Sequence, residues 1–138
     1  MKARLIQLYM FIHTIPDRLY PFACDIEGTF VRGRESYKRA LEESFKKYGP
    51  NHFGFKLTFY RSTFHLLGSV VSIICATYIS QRLFGSEVAL YFLMAVMIVG
   101  IFVQEFYWQP KQMGQLRYKG VVDWLTWVTP IFIYLAFI

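Results

Sequence analysis

The sequence predicts an all-α integral membrane protein in which three transmembrane helices follow an interfacial, amphipathic N-terminal helical arm. Three observations predict it. First, the stretches 62–81, 88–104 and 124–138 contain no Asp, Glu, Lys or Arg. At 1.5 Å of rise per residue, each approaches the ~30 Å hydrocarbon thickness of a bilayer. Second, 55% of the 138 residues are hydrophobic, 20% are aromatic, and the mean hydropathy is +0.33. That aromatic excess suits a chain with much of its length at lipid–water interfaces. Third, the net charge of +6 is concentrated at one end. Spans are expected near 62–83, 87–108 and 121–138, giving an arm over 1–60 and a membrane domain over 61–138.

The charge pattern sets the topology. Eleven of the fifteen basic residues precede the first span, Arg82 alone lies between the first two, and Lys111, Arg117 and Lys119 lie between the last two. Basic residues accumulate on the side that is not translocated, so the N-terminus is expected in the cytoplasm (or matrix) and Ile138 on the opposite side. The sequence does not distinguish a bacterial inner membrane from an organellar one. A basic pI near 9.4 also fits nucleic acid, but these charges flank apolar spans, where anionic headgroups attract them, so no nucleic-acid partner is expected.

Within the arm, residues 3–13 form a short apolar helix ended by Pro16, too short to span and suited to the headgroup layer. The opening resembles the basic and apolar regions of a signal peptide, but no small-x-small cleavage site follows. Residues 14–35 carry Pro16, Pro21, Gly28 and Gly33 without helical period and are expected to be irregular. Over 36–48, Ser36 is a plausible N-cap. Tyr37, Leu41, Phe45 and Tyr48 form one apolar stripe, Glu42/Lys46 and Glu43/Lys47 are spaced to pair, and Gly49-Pro50 closes the helix. Cys24 and Cys75 fall on the arm and in the first span, so neither a mutual disulfide nor a metal cluster is expected. His13, Cys24, Asp25 and His52 match no zinc spacing.

Inside the first span Gly68, Ser72, Ala76 and Ser80 recur every four residues, a ladder of small side chains that lets helix backbones approach closely in lipid. Its partner is either the other spans of this chain or a neighbouring chain. Tyr107, Trp108, Trp124 and Trp127 are expected in an interfacial aromatic belt. Pro130 should kink the third span, with the Thr126 hydroxyl capping the freed carbonyl.

The candidate chemistry lies at the inner face. His65, Glu105 and Asp123 converge on one depth there, flanked by Arg61, Gln104 and Tyr107, and ionisable groups inside a membrane often mark a site. Such a site would take a polar lipid headgroup, a quinone or a proton. The competing reading is that these residues pair at the interface and fix helix ends.

Three features resemble parts of known families. Arg61-Ser62-Thr63-Phe64-His65 is similar in residue types, but not in order, to the Ser-x-x-His-Arg element of succinate dehydrogenase anchors, and no span offers a second His for haem. The layout resembles small bacterial diacylglycerol kinase. That family follows its inner-end Glu with Asn three residues on and another Glu four further, whereas here Glu105 leads into Phe106-Tyr107-Trp108-Gln109 and a helix-breaking Pro110. Asp25-Ile26-Glu27-Gly28-Thr29 looks like the Asp-x-Asp-Gly-Thr opening of haloacid-dehalogenase-type phosphatases, with Glu27 in place of the second Asp and no room in the arm for the doubly wound sheet. None of the three defines a membership.

The expected function is therefore a non-catalytic small subunit of a multi-subunit or homo-oligomeric membrane complex, supplying helix packing and an inner-face docking platform. Its partners would be membrane lipids and other membrane chains or further copies of itself. The alternative is an inner-face enzyme or carrier that handles lipid or quinone through His65, Glu105 and Asp123. No catalytic set is complete, and no metal or cofactor is expected apart from a bound lipid or quinone.

Overall fold

A computed structural model describes residues 2–50 and 52–138, and the chain is mostly helical. It divides into two compact units, Met1–Arg61 and Ser62–Ile138.

The first unit begins with α1 (Lys2–His13), which ends where the Thr14 hydroxyl turns back to the Phe11 carbonyl at 3.0 Å. The short α2 (Ile15–Arg18) carries Pro16 in its first turn, where a missing N–H costs nothing. A hairpin follows, β1 (Cys24–Ile26) against β2 (Thr29–Val31), antiparallel, with Ile26 opposite Thr29. Its two central residues, Glu27 and Gly28, both have positive φ (52° and 83°), the geometry of a two-residue type I′ turn. The Gly28 N–H donates to Asp25 Oδ1 at 2.8 Å. The carboxylate that resembled a phosphatase nucleophile is thus a turn-forming acceptor, and residues 14–35 are more ordered than their sequence suggests. Three-residue strands are too short to display a period of two.

The next helix, α3 (Arg34–Tyr48), starts two residues before the expected N-cap. Ser36 is buried inside it, and its hydroxyl donates to the Phe22 carbonyl instead of capping the helix. Glu43 pairs with Arg39 at 3.3 Å, one turn back, and not with Lys47. The core of this unit is aromatic. Tyr20 lies edge-on to Tyr37 (5.4 Å), Tyr60 (5.1 Å) and Phe22 (5.3 Å), over buried Leu57. Each phenol in this cluster needs a polar partner. The Tyr60 hydroxyl donates to the Pro16 carbonyl at 2.8 Å, and Arg61 Nη1 donates to the Tyr37 hydroxyl at 2.8 Å.

The long α4 (Phe55–Ile79) gives its first turns to this unit and the remainder to the second. A π-helical turn, Ser80–Phe84, extends it. α5 (Glu87–Val103) then leads into a second π-helical turn, Gln104–Trp108, and directly into α6 (Gln109–Met113). Pro110 therefore does not break the helix as expected. A proline ring clashes with the carbonyl four residues back, and the wider π turn just before Pro110 relieves that clash. α7 (Arg117–Ala136) completes the unit.

Two segments, Phe55–Phe84 and Glu87–Gln112, are long and apolar enough to cross a membrane. α7 covers the third expected span as a continuous helix, but Lys119, Asp123, Thr126, Thr129 and Pro130 dilute its apolar character. Pro130 lies inside this helix, and the Thr126 hydroxyl, expected to cap the carbonyl that a proline frees, donates instead to the Val122 carbonyl, as the Thr129 hydroxyl does to the Leu125 carbonyl, both at 2.7 Å. The core of the second unit is Ile73 and Ala76 of α4, Leu90 and Met94 of α5, and Ile131 of α7. The Thr77 and Tyr134 hydroxyls meet at 2.9 Å beside it.

Candidate functional site

The second unit buries two carboxyl groups, Glu105 at 1% and Asp123 at 3% exposure. Glu105 is the second residue of the π turn and its side chain is buried. Its Oε1 accepts from the Gln109 amide at 2.8 Å and, more weakly, from Gln104 at 3.4 Å, while Oε2 accepts from the Gln115 amide at 2.9 Å. Gln109 lies one turn further along, in α6, and Gln115 on the loop that leaves it. A single side chain thus ties the π turn to the loop entering α7. α7 comes close at the same place because residue 120 is glycine. A Cβ there would sit 2.9 Å from the Glu105 carbonyl oxygen, closer than side chains approach backbone.

Asp123, one turn along α7 from Gly120, connects this clasp to His65. Its Oδ1 lies 3.5 Å from His65 Nδ1, too long for a good hydrogen bond but close enough for electrostatic pairing. Asp123 and Lys119 are also electrostatic neighbours of Glu105. His65 keeps 18% of its side chain exposed and lies 6.1 Å from the ring of Trp127. Chemically the cluster offers one carboxyl group whose two oxygens are both engaged and one imidazole–carboxylate pair with partial access. Among the described residues, no group of three or more His, Cys, Asp and Glu side chains is arranged to hold a metal ion.

The other expected residues separate into distinct surroundings. On α4, Gly68 faces Trp127, and a Cβ at Gly68 would sit 2.6 Å from the tip of that indole. Ala76 and Ser80 are buried, with the Ser80 hydroxyl donating to the Thr77 carbonyl at 2.9 Å, while Ser72 is half-buried. Between Gly68 and Ser72, Ser69 is fully buried and donates to the Trp127 carbonyl at 2.6 Å. Of the four belt aromatics, Tyr107 and Trp108 are exposed, whereas Trp127 packs on Gly68 and Trp124 packs edge-on to Phe102 at 6.0 Å and Phe106 at 6.4 Å. Arg61, expected to flank the cluster, donates to Tyr37 in the first unit.

Sequence reasoning missed Gln109, Gln115, Gly120 and Ser69. The available signal was a run of amides, Gln104, Gln109, Gln112 and Gln115, around Pro110 and Gly114. No protein-family model matches the chain, and neither does any curated protein or solved structure.

Proposed function

We propose that this chain is an integral membrane protein with three spans, its N-terminus on the cytoplasmic (or matrix) side and its C-terminus opposite, acting as a non-catalytic subunit of a membrane complex. The observation that carries the subunit reading is the engagement of Glu105. A carboxyl group 1% exposed with amide donors on both oxygens is closed to a substrate and serves instead to fix the turn between two helices. The membrane reading draws on the outward character of the apolar helices. Only 17% of the window in Phe55–Phe84 and 11% of that in Glu87–Gln112 is buried within the chain, where the core helix of a water-soluble protein would be mostly covered. Val71, Ile74, Val88, Phe92 and Val99 are among the large side chains left on that outer surface. Lipid and partner helices are the environments that cover such a surface.

The His65–Asp123 pair favours a second reading, an inner-face carrier or enzyme for a lipid headgroup, quinone or proton, because His65 retains access. One experiment separates the two. The chain, purified in mild detergent and analysed by mass spectrometry, should bring defined partner chains with it, and His65→Ala and Asp123→Asn should retain them without changing the function of the complex. Purification of a solitary monomer whose lipid or quinone turnover is abolished by either substitution would replace the subunit reading with the carrier reading.

A further inference from the structure

The first unit holds a cleft of about 430 Å³ between the C-terminal half of α3 and the start of α4. Its floor is the buried pair Tyr20 and Leu57. Two cations stand at it. Lys47 Nζ lies 5.2 Å from the ring centroid of Tyr48, and Lys56 Nζ lies 3.7 Å from that of Phe22. Neither lysine forms an ion pair among the described residues. A ring face orients an ammonium group without neutralising it, so both charges remain available to an anion. The one carboxylate lining the cleft, Glu43, is already paired with Arg39.

The cleft adjoins an apolar ledge. Phe55, which lines it, is 86% exposed, and Phe59, one turn further on, is 66% exposed, the two rings stacked at 6.2 Å. Two unneutralised lysines beside two protruding phenyl rings match a ligand that is anionic at one end and apolar at the other. We propose that this cleft binds the phosphate of an anionic phospholipid between Lys47 and Lys56, with the acyl chains running along Phe55 and Phe59. The assignment rests on the membrane reading above and concerns a place separate from the Glu105 cluster.

The test uses the full chain in nanodiscs of phosphatidylcholine alone or of phosphatidylcholine with phosphatidylglycerol, with retained lipids counted by native mass spectrometry. Phosphatidylglycerol should be enriched over phosphatidylcholine, and Lys47→Gln and Lys56→Gln should each reduce that enrichment roughly fivefold. Lys46→Gln, on the same helix but outside the cleft, should leave it unchanged, and excess inorganic phosphate should not release the lipid. Release by inorganic phosphate would overturn the lipid assignment in favour of a soluble anion. Equal losses from all three variants, or no enrichment at all, would overturn the cleft while leaving the membrane reading intact, because the protein would still reside in the disc. Failure to enter discs of either composition would overturn the membrane reading and this site together.

Discussion

The Gln115 amide donates to Glu105 Oε2 at 2.9 Å, joining two residues ten apart in sequence across the Pro110 turn. With Gln109 on the other oxygen, this contact makes the segment between α5 and α7 a braced corner. Four of its features meet there: the π turn carries the buried Glu105, Pro110 lies in the first turn of α6 directly after it, Gly114 ends α6 with φ 63°, and Gly120 lets α7 approach the Glu105 carbonyl.

Replacing Glu105 by Ala should leave the Gln109 and Gln115 amides buried without an acceptor and open a small cavity. The expected loss is about 3 kcal/mol, read as a lower midpoint of thermal unfolding in detergent. An unchanged midpoint would mean that the clasp does not support the corner.

Gly120→Ala and Gly68→Ala probe two different close approaches. At Gly120 the new methyl meets the Glu105 carbonyl oxygen, which is backbone and moves only with its helix. At Gly68 it meets the edge of the Trp127 indole, a side chain that can shift. Gly120→Ala is therefore expected to cost more, within the roughly 1–3 kcal/mol typical of overpacking. Gly68→Ala should instead shift the indole fluorescence emission. Equal destabilisation by the two, with no spectral change at Gly68, would contradict these placements.

Ser69→Ala removes the hydroxyl that donates to the Trp127 carbonyl within the buried interface of α4 and α7. About 1 kcal/mol of stability should be lost. Ser72→Ala, at a half-buried position on the same helix, should cost measurably less in the same unfolding assay.

In the first unit, burial raises the Tyr37 phenol above the ordinary tyrosine value of 10.0, although the nearby Arg61 guanidinium opposes the rise. A raised folded-state pKa contributes stability that is complete below pH 10 and is lost as pH climbs through the folded value. Burial likewise raises Asp17 above 3.8 against the pull of Arg61, His13 and Arg34. Its contribution is therefore complete below pH 3.8 and gone above its folded value. Tyr37→Phe should flatten the alkaline limb of a stability–pH profile, and Asp17→Asn should flatten the acidic segment and raise stability at neutral pH. Steeper limbs in either variant would reverse the assigned signs.

How much of this was legible in the sequence depended on whether a feature was local and periodic. The apolar runs located α4, α5 and α7, and the stripe from Tyr37 to Tyr48 ahead of Gly49 located α3. Ser36 misled as an N-cap because its hydroxyl is used across fourteen residues, by the Phe22 carbonyl, a contact that no local pattern reveals. Asp25, whose likeness to a phosphatase nucleophile was set aside on the sequence, accepts locally from the Gly28 N–H of the hairpin turn. His65 and Asp123 were singled out together with Glu105 as ionisable residues of the expected spans, and the structure places His65 Nδ1 3.5 Å from Asp123 Oδ1. The amides of Gln109 and Gln115 were not singled out, because Pro110 was read as a helix end and the π turn that accommodates it has no sequence signature of its own.

The most direct test of the whole account is residue accessibility in sealed vesicles. In a background with Cys24 and Cys75 replaced by Ser, single cysteines would be placed at Lys46 and at Ile138 and labelled with a membrane-impermeant thiol reagent. The account expects the two positions to label from opposite faces, and the chain to stay with the membrane after alkaline carbonate extraction. Labelling of both from the same face, or recovery of the chain in the soluble fraction, would contradict it.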